Sequence, residues 1–163
     1  MEIKPLSKQT LDDVVNLVNG VFPNQGFEPA WISLKGSLGM HPYDWLVHFV
    51  GRVPWLTYWV AKEEERVVGV VGHYAYKKDE HEASWIGWMC VHPDYRGRGI
   101  GRDLLYLVLE EAKRLGKPYL RLYTSTDPNE AVANIMYDKL GFVLFGEKKA
   151  RPYTILFKQL KIN

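Results

Sequence analysis

Apolar residues recur at helical spacing in two stretches of the chain. Residues 11–22 carry them at the i, i+3, i+4 and i+7 positions of an amphipathic helix, and Pro23 ends that pattern. The clearer helix spans residues 100–115, followed by Gly116 and Pro118, two residue types typical of a helix end. These patterns predict two helices that each bury one apolar face.

Helix-start signals add a third helix to this pattern. Asp127 is a good N-cap residue, Pro128 suits the first helical position, and Glu130 completes a capping box. The pattern predicts that this helix ends at Gly141. A similar signal makes Thr10 the predicted N-cap of the first helix.

Runs of β-branched and aromatic residues, separated by polar turns, predict strands between these helices. The predicted strands span residues 3–6, 56–61, 67–76, 84–91, 119–124, 142–147 and 153–160. The three strands from 56 to 91 form an antiparallel meander, whereas the helix at 100–115 predicts a parallel crossover between its flanking strands. We therefore expect a single α/β (α+β) domain, with a mixed, mostly antiparallel sheet of about seven strands flanked by helices. Residues 24–55, rich in glycine, proline and aromatic side chains, predict one or two short helices in a loop-rich layer.

Composition narrows the class of protein. The chain has 163 residues, 47% hydrophobic and 25% charged, with a formal net charge of +2. These values fit a folded domain and argue against disorder or a surface that coats nucleic acid. The single cysteine, Cys90, excludes an internal disulfide and a multi-cysteine zinc site, and we expect no metal. Without a secretory h-region or a membrane-length apolar run, we expect a cytoplasmic protein with no membrane partner.

The segment from 91 to 102 concentrates the residues that favour anion binding. It lies between a predicted strand and the strongest predicted helix, and it alternates glycines with arginines: Arg96, Gly97, Arg98, Gly99, Gly101 and Arg102. Glycine lets the backbone approach a ligand closely, and free N–H groups at a helix start bind anions. The pattern predicts a site for a diphosphate or polyphosphate.

Two familiar phosphate motifs do not fit this loop. The P-loop pattern G-x-x-x-x-G-K-[ST] is absent. The dinucleotide pattern G-x-G-x-x-G fails because Arg102 stands where the third glycine belongs. A dinucleotide site also opens the first strand–turn–helix unit, whereas this loop lies past the middle of the chain.

The pattern Arg96-x-x-Gly99-x-Gly101, after a strand ending in Val91, resembles the acyl-coenzyme A signature of the GNAT superfamily of N-acetyltransferases. Residues 133–142, with Tyr137 four residues before Gly141-Phe142, are similar to that family's closing helix. The resemblance covers roughly residues 67–147. It implies one domain over 1–163, divided into an acceptor-side layer (1–55), an acyl-coenzyme A core (56–147) and a C-terminal strand (148–163).

The resemblance also implies how the core would bind acetyl-coenzyme A. Backbone N–H groups of the loop would hold the pyrophosphate, and these belong to Arg96, Gly97, Arg98, Gly99, Ile100, Gly101 and Arg102. Met89 and Val91 would pair with the pantetheine arm as if it were an added strand, at a place where strands 84–91 and 119–124 splay apart.

The same resemblance implies roles at the reacting thioester. The Val91 N–H would face the acetyl carbonyl, and Tyr137 would lie near the sulfur as general acid. Asn134 or Asn129 would contact the pantetheine or the nucleotide, although Glu130 stands at the spacing of the family's usual asparagine. The implied activity is transfer of an acetyl group to an amine, with no metal.

Several points stay open at this level. The general base is unassigned, because Trp85 stands where histone-modifying relatives place a glutamate, and the candidates are His41, Asp44, His48, Glu28 and His73. We hypothesise that aromatic residues between 27 and 59 line the acceptor pocket. A non-catalytic acyl-coenzyme A sensor is the alternative function. An exposed edge strand would also allow a homodimer.

Overall fold

The structure, a computed structural model, describes residues 1–26 and 28–163. Within this part of the chain, seven strands form one sheet in the order β1-β2-β3-β4-β5-β7-β6. The strands are β1 (Glu2–Pro5), β2 (Leu56–Glu63), β3 (Arg66–Tyr74), β4 (Ala83–Val91), β5 (Tyr119–Ser125), β6 (Val143–Lys148) and β7 (Ile155–Lys161). The helices are α1 (Leu11–Val21), α2 (Ala30–Ser37), α3 (Tyr43–Trp45) with a π-helical turn (Leu46–Val50), α4 (Ile100–Arg114) and α5 (Ala131–Lys139).

The predicted mixed sheet is confirmed. Within the described residues, β4 and β5 pair in parallel across α4, and the other neighbouring strands pair antiparallel. The last strand, β7, lies between β5 and β6 and leaves β6 at an edge of the sheet. No described helix is both long enough and apolar enough to cross a bilayer.

Each face of the sheet has its own apolar core. On one face the stripe of α4, with Leu104 and Val108, packs on Val71 of β3. On the other face Val18 of α1 and Leu34 of α2 pack on the same sheet. Burial of each of these five side chains contributes about 2 kcal/mol to the stability of the fold. The two cores hold the central strands rigidly between two helical layers.

One predicted helix cap and one predicted capping box differ from the structure, whereas a second predicted cap is present. Thr10 does not cap α1, because its hydroxyl bonds to Ser7 instead, accepting from the Ser7 N–H at 3.2 Å. Asp127 does cap its turn, and its carboxylate accepts from the Asn129 N–H at 2.9 Å. The predicted capping box is nevertheless wrong, because the Glu130 carboxylate accepts from the Ser125 hydroxyl. Glu130 is therefore directed toward the end of β5.

Strands β4 and β5 separate along most of their length, as expected. Their described pairing covers three residue pairs and ends at Trp85 and Arg121. On its other side β4 contains a bulge, because Val71 pairs with Met89 while His73 pairs with Ile86. The extra residue in β4 bends the strand and increases its twist, which explains why it leaves β5 at this point.

The bulge lies at a very close approach between strands. The Cα atom of Gly87 on β4 would be 3.1 Å from a Cβ at Gly72, and the Tyr58 ring would be 2.6 Å from it. Only glycine fits at Gly72 without a shift of the Tyr58 ring. The Tyr58 hydroxyl contacts the Ser33 hydroxyl of α2 at 2.8 Å and the backbone N–H of Trp88. Helix α2 is thus bonded through Tyr58 to the bulge at which β4 leaves β5.

Candidate functional site

A cleft of about 370 Å³ lies where β4 and β5 separate. Its walls come from both faces of the sheet. Met89 and Tyr137 belong to the core beneath α4 and α5, whereas Trp88 and Phe22 belong to the core beneath α1 and α2. The cleft therefore passes through the sheet and opens toward both faces.

The direction of the β4 backbone supports the predicted roles of Met89 and Val91. The His92 N–H points toward β3 and bonds to the Val68 carbonyl at 2.8 Å. Because successive N–H groups in a strand point to opposite sides, the N–H groups of Val91 and Met89 point toward the gap. The Val91 carbonyl accepts from Arg96 Nε at 3.2 Å, which fixes this end of the strand.

The glycine loop ends where α4 begins, at the end of β4. Gly97 and Gly99 adopt φ angles of +76° and +85°, a left-handed conformation that disfavours other residues. The first hydrogen bond of α4 runs from the Asp103 N–H to the Gly99 carbonyl. Within the described residues, the backbone N–H groups from 97 to 102 donate to no protein acceptor. They form a row of free donors at the positive end of the helix dipole.

The loop's side chains surround these donors with positive charge. Arg96, Arg98 and Arg102 are all exposed. Arg98 donates to the Asp94 carbonyl at 3.3 Å and lies 3.6 Å from the Glu63 carboxylate. Ile100 is only 3% exposed, so its side chain packs in the core and its N–H alone faces the loop.

Tyr137 lines the cleft from α5 and is 8% exposed. Burial raises its pKa well above the ordinary value, and the nearby charge of Glu130 raises the pKa further. The phenol is therefore protonated at neutral pH and can donate a hydrogen bond. Complete transfer of its proton to a thiolate, whose conjugate acid has a pKa of about 8.5, is unfavourable.

The two asparagines have different surroundings. Asn129 lies in a short 3₁₀ turn (Pro128–Glu130) and lines the cleft. Asn134 donates from Nδ2 to the Ser125 carbonyl at 3.0 Å, which ties α5 to the end of β5. Its buried Oδ1 has no hydrogen-bond partner in the described structure. This oxygen is an available acceptor for an amide N–H.

In the described structure, none of the five candidate bases lines the cleft. His41 is 3.3 Å from Asp44 on an exposed turn, and His48 bonds to the Val53 carbonyl at 2.7 Å. His73 packs against Trp55, and burial lowers its pKa to about 4. Glu28 is exposed and is not among the cleft residues.

Trp85, at the position of the glutamate in histone-modifying relatives, also has a structural partner. It donates from Nε1 to the Asp79 carboxylate at 3.0 Å, at the closed end of the gap between β4 and β5. Cys90 is buried, and burial raises its pKa to about 12, so it is a poor nucleophile at neutral pH.

The hypothesis about the aromatic residues between 27 and 59 does not match the described cleft. Trp31 packs on Tyr43, and Trp45 stacks on Phe49, both away from it. Phe27 lies outside the described residues. The aromatic wall comes instead from the end of α1, from β4 and β5, and from the loop between β6 and β7: Phe22, Trp88, Tyr123 and Tyr153.

The cleft also contains polar residues that the sequence did not single out as functional. Thr124 is 4% exposed and lines the cleft, and its Oγ1 has no hydrogen-bond partner in the described structure. Glu130 and Asp127 add carboxylates, and Arg151 adds a guanidinium. In the sequence Asp127 and Glu130 looked like helix caps, and nothing there connected Thr124 or Arg151 with the glycine loop.

Comparison with known proteins agrees with this geometry. Residues 54–144 match the GNAT acetyltransferase domain. The chain therefore belongs to the GNAT acetyltransferase family.

The curated relatives match different lengths of this chain. It is 33% identical over 79 residues to the L-amino acid N-acyltransferase MnaT of Escherichia coli, covering 45% of each chain. It is 26% identical over 143 residues to an uncharacterised N-acetyltransferase, MJ1207, of Methanocaldococcus jannaschii, covering 86% of this chain and 59% of the relative. The matches thus span only about half the length of the curated relatives.

Solved structures show the same fold over almost the whole chain. The ribosomal-protein-alanine N-acetyltransferase of Brucella melitensis superimposes with a TM-score of 0.71 at 22% identity, covering 99% of both chains. An aminoglycoside 6′-N-acetyltransferase complexed with coenzyme A superimposes with a TM-score of 0.73 at 15% identity, covering 100% of this chain and 98% of that one.

Proposed function

We propose that this protein transfers an acetyl group from acetyl-coenzyme A to a primary amine by direct attack of the amine on the thioester. The observation that carries the proposal is the row of free N–H groups from 97 to 102, beside a gap between β4 and β5. The coenzyme A complex of the structurally similar aminoglycoside acetyltransferase supports the choice of donor.

In this proposal the donor binds mainly to backbone groups. The N–H groups of the glycine loop hold the pyrophosphate, and Arg96, Arg98 and Arg102 add charge around it. The pantetheine arm lies along the free edge of β4 and pairs with Met89 and Val91. Asn129 lines the cleft, and Asn134 is bonded to Ser125, another cleft residue, while its own Oδ1 has no partner in the described structure. Either asparagine would accept from a pantetheine amide.

Few groups are needed at the reacting carbon, because a thioester is already activated. The Val91 N–H stabilises the negative charge that develops on the carbonyl oxygen, and one such donor contributes about 3 kcal/mol. Tyr137 donates a hydrogen bond to the departing thiolate. Because burial raises the pKa of Tyr137, its phenol keeps its proton at neutral pH, which supports this role and leaves the final proton to solvent.

Two measurements test the proposal and separate it from a sensor that binds acetyl-coenzyme A without reacting. Calorimetric titration with acetyl-coenzyme A measures binding, and a thiol-release assay across a panel of primary amines measures transfer. The proposal expects binding and amine-dependent thiol release. Tight binding without amine-dependent release would favour the sensor, and absence of binding would contradict both.

A further inference from the structure

The proposed reaction leaves one proton unassigned. An aliphatic amine is an ammonium ion at neutral pH, because its pKa is about 10, and it has no free lone pair in that form. The residue at the family's glutamate position is Trp85, which bonds to Asp79. Either another group receives the proton, or the amine binds in its neutral form.

Glu130 is the carboxylate best placed for this task. It lines the cleft together with Tyr137 and is partly buried. Its Oε2 accepts from the Ser125 hydroxyl, which fixes the side chain at the end of β5. Its Oε1 accepts no hydrogen bond from the described part of the chain. The carboxylate is thus held by one oxygen and open at the other.

Glu130 lines the cleft together with Tyr137 on α5 and Tyr123 on β5. Its charge is one of the causes that raise the pKa of both phenols. The other carboxylate in the cleft, Asp127, accepts from the Asn129 N–H through Oδ1, and it is not among the charges that raise the pKa of either phenol. The buried Thr124 Oγ1, without a partner in the described structure, adds a nearby acceptor for a second N–H.

The cleft that Glu130 lines also contains four aromatic side chains besides Tyr137. Phe22 and Trp88 lie with ring centroids 5.4 Å apart, and Tyr123 and Tyr153 complete the wall. Aromatic faces attract cations and pack against apolar groups. A carboxylate beside aromatic rings therefore fits an ammonium group that carries an aromatic or other apolar substituent.

We propose that Glu130 binds the ammonium group of an aromatic or apolar primary amine and takes its proton before acetyl transfer. This inference rests on the proposed function and assigns the base for it. The neutral nitrogen then forms the C–N bond at the thioester carbon, and the C–S bond breaks. The nitrogen loses a second proton after attack, which balances the proton that the thiolate takes. The first proton passes from Glu130 to solvent.

Two probe amines with different proton requirements test this role. Phenethylamine is charged at pH 7 and needs a base, whereas 4-methoxyaniline is largely neutral and needs none. E130Q keeps the shape of the side chain and removes its basicity. We expect E130Q to lower kcat/KM about 100-fold with phenethylamine and less than about 3-fold with 4-methoxyaniline. E130D is expected to restore part of the phenethylamine activity.

Controls keep the outcome interpretable. E147Q removes a carboxylate on exposed strand β6, outside the cleft, and should match wild type with both amines. Calorimetry should show acetyl-coenzyme A affinity within about 2-fold of wild type for E130Q, because the glycine loop is untouched. Equal losses with both amines, or no loss with phenethylamine, would overturn the role of Glu130 alone. Wild-type protein that releases no thiol with either probe amine but does so with other amines of the panel would overturn this inference and leave the proposed function standing. No release with any amine of the panel would overturn both.

Discussion

The two sides of the candidate site offer different chemical groups. The α4 side, which we call the backbone wall, consists of the glycine loop and the free edge of β4 and presents mostly backbone donors. The wall beneath α1 and α2 presents aromatic side chains, including Phe22 and Trp88. Backbone donors are present whatever the side chains are, so they can bind the same ligand in many different sequences. Side chains differ between sequences and can therefore change the second substrate without disturbing the binding of that ligand. The contrast predicts that mutations on the two walls affect different substrates.

The largest effect is expected from a substitution in the glycine loop of the backbone wall. Gly99→Val places a β-branched residue at a φ of +85° and puts its Cβ 3.4 Å from Arg102 Nη2. Loss of two charge-assisted hydrogen bonds corresponds to about 3 kcal/mol, or about 100-fold weaker binding of acetyl-coenzyme A by calorimetry. Gly116→Val is the matched control, with a φ of +70° but no atom within 4 Å and no place in the loop. Equal affinity losses in both variants would contradict the assignment.

A second prediction concerns the stability of the fold and involves neither wall. Burial lowers the pKa of His73 to about 4 from an ordinary value of about 6.5, so the unfolded chain binds more protons between these values. Stability is therefore present above pH 6.5 and is lost as pH falls toward 4, by about 2 kcal/mol at pH 5. Urea unfolding at pH 7.5 and pH 5 measures this loss. His73→Gln should remove most of the pH dependence, and an unchanged dependence would contradict it.

The aromatic wall is tested by Trp88→Leu. Loss of the ring should raise the KM for an aromatic amine up to about 10-fold, since an aromatic contact contributes up to about 1.5 kcal/mol beyond its area. Acetyl-coenzyme A affinity should stay within about 2-fold of wild type, because the backbone of β4 is retained. Trp45→Leu removes an exposed tryptophan outside the cleft and should leave both values unchanged. A loss of acetyl-coenzyme A affinity alone would reverse the assignment of the two walls.

An effect of similar size is expected at the departing thiolate. Tyr137→Phe removes one hydrogen bond to a charged group and should lower kcat about 10-fold, with acetyl-coenzyme A affinity unchanged. Single-turnover measurements isolate the chemical step from product release. An unchanged rate of that step would remove Tyr137 from the reaction.

The sequence predicted the backbone wall because its signals are local. Gly97, Gly99 and the start of α4 follow one another in a short segment, and their spacing alone indicates free N–H groups. The strands and helices were likewise predicted within a few residues of their observed ends, because their hydrophobic periods are clear. The separation of β4 and β5 was expected from family resemblance rather than from the residues themselves.

The aromatic wall was not predicted because its residues come from distant parts of the chain. Phe22 follows α1, Trp88 lies in the β4 bulge, and Tyr153 follows β6. No local pattern joins them, and only the packing of the sheet brings them together. Glu130 was misread for a related reason: a capping box is a local motif, and the hydroxyl that holds its carboxylate lies at the end of the preceding strand, at Ser125.

The passage of the cleft through the sheet has a kinetic consequence. In the proposed function, a donor lies along β4 on the α4 side and an acceptor enters past Trp88 on the α1 side, so that the two do not obstruct each other. Both substrates can then bind at the same time, and no acetylated form of the protein is needed. Initial-rate plots should then show intersecting rather than parallel lines, and intact-mass spectra after incubation with the donor alone should show no covalent adduct.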